Sequence, residues 1–220
     1  MQPSVKPRIK VCCISSLAEA QTAVAAGASA LGLVSAMPSG PGVIEEALIA
    51  KIADGVPPGV ATFLLTSLQD VDAIVAQQRR CRASTLQLVD RLPAGSYARL
   101  QAALPGIKLV QVIHVGGAES IEEALDVAPQ VDGLLLDSGN QSLMVKELGG
   151  TGRVHDWQVS RRIRELVEVP VYLAGGLRPD NAAEAIRLVG PFALDVCSGV
   201  RTDGRLDPDK LARFFGSLSG

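Results

Sequence analysis

The chain has 220 residues, a formal net charge of −2 and 47% hydrophobic side chains. That is enough apolar material for one sizeable core, and α/β barrels of up to about 250 residues form as one domain, so 1–220 is read as a single domain. The balanced charge, with no basic run, excludes a nucleic-acid groove, and the apolar runs are too short to span a bilayer.

The start, Met1–Lys10, carries Pro3 and Pro7 and no apolar stretch, so it does not read as a secretory signal. The four cysteines, Cys12, Cys13, Cys81 and Cys197, lack C-x-x-C spacing. They are expected to be free thiols in a reducing cytoplasm. With only two histidines, His114 and His155, a metal site is not expected, nor is a cofactor.

Short apolar runs alternate with helical runs from end to end. Arg8–Cys13 reads as a strand and Ser16–Ala26 as a helix capped by Ser16; Ala30–Ser35 and Ile44–Ala53 repeat the unit. Val60–Thr66 pairs with Leu68–Gln78, Thr85–Val89 with Ser96–Leu104, and Lys108–Val115 with Ile121–Ala128. Val131–Asp137 pairs, after a long loop, with Asp156–Val167. Val169–Ala174 precedes a helical run from Pro179 or Ala182 to Val189, with Asp180 and Asn181 as expected caps, and Phe192–Cys197 precedes Pro208–Phe215. Strands apolar on both faces suit parallel pairing under helices. Eight such units predict a closed (β/α)8 barrel. The alternative is an open Rossmann-like sheet, but no G-x-G-x-x-G follows the first strand.

In a barrel the reactive residues sit at the carboxyl ends of strands. Strand side chains alternate, so Ile9, Val11 and Cys13 are assigned to the helices, and Lys10 and Cys12 to the barrel interior. Asp137 closes a strand of leucines. Asp195 and Cys197 share the inner row of strand 8, which adjoins strand 1 and brings Asp195 towards Lys10 as a supporting ion pair. His155, beside Asp156 and Trp157, reads as a surface loop residue. Gly175 and Gly176 end strand 7, and Ser198 and Gly199 end strand 8. Loops after strands 7 and 8 commonly hold phosphate, so these four are the expected phosphate seat. The glycine-rich stretch Leu148–Trp157, with Gly150, Thr151 and Gly152, reads as a substrate lid.

Five motifs, in order and across nearly the whole chain, resemble the phosphoribosylanthranilate isomerase family. Lys10–Ser15 is similar to its K-I-C-G-I-T opening, and Leu135-Leu136-Asp137 to its acidic strand. Gly149–Arg153 with Asp156-Trp157 is similar to G-G-T-G-K/R…D-W; Leu173–Leu177 and Asp195–Val200 are similar to its two phosphate loops. The resemblance implies an Amadori rearrangement of a phosphoribosyl amine, as in tryptophan biosynthesis. It assigns Asp137 as general acid and Cys12 as general base, and a phosphorylated small molecule as partner of a monomer or homodimer. A free thiol of pKa about 8.5 is only a few per cent thiolate at neutral pH, so Cys12 needs help from Lys10 or from phosphate-binding N–H groups.

The chain also departs from the family. Pro41 stands where the family's Arg meets the anthranilate carboxylate, Q-L-H-G becomes Gln87-Leu88-Val89-Asp90, and the Gly after the reactive Cys is Cys13. Three readings follow: a phosphoribosylanthranilate isomerase that binds the carboxylate by other means, an isomerase for another amine or sugar phosphate, or a non-catalytic phosphosugar-binding protein. Retention of Cys12 and Asp137 argues against the third.

Overall fold

The computed structural model describes residues 8–138 and 155–218. Eight parallel strands close into a barrel: β1 (Arg8–Val11), β2 (Ala30–Val34), β3 (Ala61–Thr66), β4 (Thr85–Leu88), β5 (Lys108–His114), β6 (Gly133–Asp137), β7 (Val171–Leu173) and β8 (Ala193–Val196). Pairing of β1 with β8 closes the ring and rules out the open sheet. The helices are α1 (Leu17–Ala25), α2 (Glu46–Gly55), α3 (Val71–Cys81), α4 (Ser96–Ala103), α5 (Glu119–Val127), α6 (Trp157–Leu166), α7 (Ala182–Val189) and α8 (Pro208–Gly216). No helix among the described residues is long and apolar enough to cross a membrane.

Strand alternation divides the core into two layers. Val11, Leu64, Leu134, Leu136, Leu194 and Val196 pack outward with the helices. Ala30, Val34, Phe63, Val110, Val112 and Leu135 fill the barrel. Towards the amino ends of the strands, Phe63 meets Tyr172 edge-on at 5.5 Å and Tyr172 meets Phe192 at 5.5 Å, so aromatic rings plug that end. The opening therefore lies at the carboxyl ends.

Helix starts follow capping chemistry. Ser16 accepts from the Glu19 N–H, Asp70 from Ala73, Asp156 from Gln158, and Asp207 from Asp209 and Lys210. Asp70 explains why α3 begins at Val71 rather than at the expected Leu68. Asp180 and Asn181 do not cap α7, contrary to expectation. Asn181 has φ −122° and ψ −11°, outside the extended geometry of a cap, and makes no capping bond. Its amide turns back, accepting from the Arg178 N–H and donating to the Gly176 carbonyl. Asp180 pairs with Arg178. A short hairpin, β9 (Arg201–Thr202) and β10 (Arg205–Leu206), was not anticipated. Its strands are too short to show a period-two pattern.

Candidate functional site

Several strands end one or two residues earlier than their apolar runs. Cys12, Cys13, Ala174 and Cys197 thereby leave the strands and line a pocket at the carboxyl end of the barrel. The pocket spans about 620 Å3, a volume that includes open solvent at its mouth. Asp137, Asp195, Gln87, Met37, Leu177, Gly175, Gly176 and Ser198 also line it.

The floor is a buried ion pair. The β1–β8 register sets Lys10 beside Asp195, and Lys10 Nζ donates to Asp195 Oδ2 at 2.8 Å. Burial would discharge the Lys10 ammonium, but Asp195 and the Cys12 sulfur outweigh it and hold the Lys10 pKa above its ordinary value. Asp195 Oδ1 has no hydrogen-bond partner among the described residues. Gly32, in the middle of β2, makes the room. A Cβ there would stand 2.6 Å from Cys12 Sγ and 3.1 Å from Lys10 Nζ. An interior strand glycine signals such close approach, and this one passed unnoticed in the sequence.

The Cys12 thiol is held below its ordinary pKa. A hydrogen bond from Cys13 is the main cause, burial opposes it, and the Lys10 ammonium adds to the lowering. Cys13 was assigned to the helix side of β1, and the structure corrects this. Its backbone is left-handed, φ 62°, so the strand alternation has ended and the side chain joins the pocket wall. A Cβ-bearing residue at this φ is uncommon. Bonds to Cys12 and Cys197, with burial, push the Cys13 thiol well above its ordinary value. Cys197 Sγ lies 2.8 Å from Cys13 Sγ.

A second unanticipated residue holds this corner. Arg201, 9% exposed, donates through Nη2 to the carbonyl oxygens of Cys12 (3.2 Å) and Cys13 (2.5 Å), and pairs with Glu19 Oε2 at 3.1 Å. Glu19 in turn accepts from the N–H groups of Ser15 and Leu206. A short 3-10 helix, Ser198–Val200, precedes Arg201.

Asp137 ends β6, is 8% exposed, and accepts from the Ser138 N–H at 2.7 Å. On the same wall, Gly175 (φ 84°) and Gly176 (φ 61°) take conformations that only glycine adopts freely. Gly199 is not in the pocket lining; a Cβ on it would overlap the Leu177 carbonyl oxygen, so it lets the loops after β7 and β8 touch. His155 is a half-buried loop residue rather than the exposed one expected. Its Nε2 lies 2.6 Å from Ser160 Oγ, and its Nδ1 would stand 2.9 Å from a Cβ on Gly175. Nδ1 has no hydrogen-bond partner among the described residues, and burial lowers the ring's pKa. The lid stretch with Gly150, Thr151 and Gly152 lies outside the described residues.

At the other end, Ser39, Gly40 and Pro41 line the pocket, and among the described lining residues there is no Arg or Lys. Asp90, the last residue of the altered Gln87-Leu88-Val89-Asp90 stretch, is 7% exposed and not part of the lining. Arg91 is engaged by Asp126. No group of three or more His, Cys, Asp or Glu among the described residues is placed to hold a metal ion.

A sequence model described as N-(5'-phosphoribosyl)anthranilate (PRA) isomerase matches residues 9–217. The N-(5'-phosphoribosyl)anthranilate isomerase of Methanocella arvoryzae is 34% identical over 208 residues, covering 94% of this chain and 95% of that one. That of Haloarcula marismortui is 35% identical over 209 residues, covering 94% of each. Among solved structures, the phosphoribosyl anthranilate isomerase of Thermotoga maritima superposes with a TM-score of 0.83 at 27% identity, covering 96% of this chain and 98% of that one. A phosphoribosyl anthranilate isomerase in complex with reduced 1-(o-carboxyphenylamino)-1-deoxyribulose 5-phosphate superposes at 0.80 with 25% identity and the same coverage.

Proposed function

The chain belongs to the N-(5'-phosphoribosyl)anthranilate isomerase family, and on that premise we propose that Cys12 and Asp137 carry its aldose–ketose rearrangement as base and acid. The reaction is an Amadori rearrangement of tryptophan biosynthesis. The ring oxygen of the ribose is protonated and the ring opens to an iminium. Loss of the C2 proton gives an enolamine, which becomes the 1-amino-1-deoxyketose.

The observation that carries the assignment is that Cys12 and Asp137 line one pocket together with Gly175, Gly176 and Ser198. The phosphate is assigned to the loops after β7 and β8, with Gly199 behind Ser198, where backbone N–H groups approach unhindered. Cys12 takes the C2 proton as thiolate, a state that Lys10 and the Cys13 thiol favour. Asp137 delivers its proton to the ring oxygen. Asp195 keeps Lys10 in place. Gly150, Thr151 and Gly152 are read as the lid, the whole chain as one domain acting as monomer or homodimer, and the cytoplasm as its compartment.

The test is steady-state turnover of phosphoribosylanthranilate by Cys12→Ser and Asp137→Asn. Each is expected to lose about 10²–10⁴-fold in kcat while still binding the reduced ketose product. Turnover within a few-fold of the unaltered chain in both variants removes these roles. A second reading, relaxed selectivity for the amine, is favoured by Pro41 and by the lack of a cationic side chain among the described lining residues.

A further inference from the structure

Three of the four cysteines line the pocket, and all are free thiols. Cys197 is partly exposed and Cys13 is 5% exposed. Their sulfurs are 2.8 Å apart, so less than about 1 Å of movement separates them from a bonded S–S distance of ~2.05 Å. Buried cations flank the cluster: Lys10 reaches Cys12 and Cys13, and Arg201 acts on Cys13 and Cys197. An electropositive, partly exposed setting is where thiols react. Cys12 is the poorer partner for Cys13, because adjacent residues would close a ring across one peptide bond and twist it from planarity. Cys81 sits apart in α3, its thiol pushed up to about 11 by burial.

We propose that Cys13 and Cys197 form a reversible oxidation site, closed to a disulfide by hydroperoxides, that turns down the thiol beside it. The Cys197 thiolate attacks the outer peroxide oxygen. The O–O bond breaks, leaving a sulfenic acid on Cys197 and an alkoxide that takes the proton Cys197 released; with hydrogen peroxide this product is water. The Cys13 sulfur then attacks the sulfenic sulfur. The S–S bond forms, the S–O bond breaks, and the departing hydroxide leaves as water with the Cys13 proton. Two thiols lose two electrons and the peroxide gains them.

The disulfide has no S–H to offer Cys12. Each unit by which the Cys12 pKa then rises lowers its thiolate fraction about tenfold below that pKa. The bond also ties the end of β1 to the residue before Ser198, in the loop assigned to phosphate. The effect on turnover rests on Cys12 being the base; formation of the bond does not.

The experiment treats the full chain with hydrogen peroxide, blocks remaining thiols with N-ethylmaleimide, digests with trypsin and weighs the peptides. The expected product joins residues 11–51, with one N-ethylmaleimide on Cys12, to 188–201; it is two hydrogens lighter than the sum of those two peptides, and dithiothreitol separates them. Cys12→Ser should form the same link, which places it on Cys13 and needs no activity. In parallel, kcat/KM of the unaltered chain should fall at least about tenfold on oxidation, the cost of one charge-assisted hydrogen bond, and return with dithiothreitol. Cys197→Ser, compared with its own untreated activity, should not show that reversible fall. Absence of the link in Cys12→Ser overturns the site, whether or not the unaltered chain forms one. A link without loss of turnover, or equal reversible loss in Cys197→Ser, overturns the switch. A reduced chain with no turnover at all overturns the isomerase reading and the switch with it, while the link still decides the site.

Discussion

Replacing Lys10 by Met separates what the buried ion pair does for the fold from what it does for the chemistry. Lys10 is fully buried and Asp195 is 7% exposed, with Oδ2 held only by Lys10 and Oδ1 without a partner among the described residues. Lys10→Met thus strands a buried carboxylate. Breaking a buried pair this way costs about 3–5 kcal/mol. For a chain of this size each kcal/mol is ~2–4 °C of Tm, so Tm should fall by about 6–20 °C. The Lys10 pKa is raised on folding, so its stabilisation is complete below the unfolded value of about 10.4 and lost only as pH rises through the folded one. Unfolding by urea or heat near pH 7 therefore sees all of it. The double change Lys10→Met with Asp195→Leu removes the stranded charge and should recover most of the loss. Activity should not recover with it, because both variants lack the cation facing Cys12. The rising limb of the pH–rate profile should move to higher pH in both, with the loss at pH 7 partly regained in alkali. A single change costing under about 1 kcal/mol, as an exposed pair would, refutes the reasoning. So does a double variant no more stable than the single one.

Other outcomes are as specific. Crystals grown in phosphate or sulfate should show the anion between Gly175-Gly176 and Ser198, and Gly175→Ala should weaken phosphosugar binding, since a Cβ there meets His155 Nδ1 at 2.9 Å on a left-handed backbone. His155 has a lowered folded pKa, so the stability it confers is present above about pH 6.5 and is lost as pH falls through the folded value. Urea midpoints between pH 7 and 5 should drop, and His155→Phe should flatten that slope; an unchanged slope would show that another group titrates. Without an Arg at Pro41, the carboxylate of the substrate should contribute little. A charged hydrogen bond of about 1.5–3 kcal/mol corresponds to ~10–100-fold. Turnover of phosphoribosylanthranilate and of its decarboxylated aniline analogue should therefore be similar, and a large preference for the former would show that another cation has taken the place of Arg.

The alternation of apolar runs and helical runs was enough to predict the closed barrel, because eight strand–helix units at this length suit closure, and the open sheet that would also cover both faces lacked its G-x-G-x-x-G turn. The placement of Asp195 on the inner row of β8 was equally legible, since a period of two holds wherever the strand continues. That logic failed at Cys13, two residues beyond the point where β1 stops. A left-handed backbone there, held by Arg201 on two carbonyl oxygens, redirects the side chain into the pocket. No local pattern announces such a turn. His155 was misread for a related reason: its burial comes from Ser160 and Gly175, five and twenty residues away in sequence. Residue types and their order determined the barrel and which strand ends face one another. The sulfur contact between Cys13 and Cys197, the Arg201 clamp and the space that Gly32 leaves for Cys12 and Lys10 were decided by tertiary packing. Each joins residues from different strand–helix units, and contacts of that kind are set by closure of the barrel rather than by neighbours in the chain.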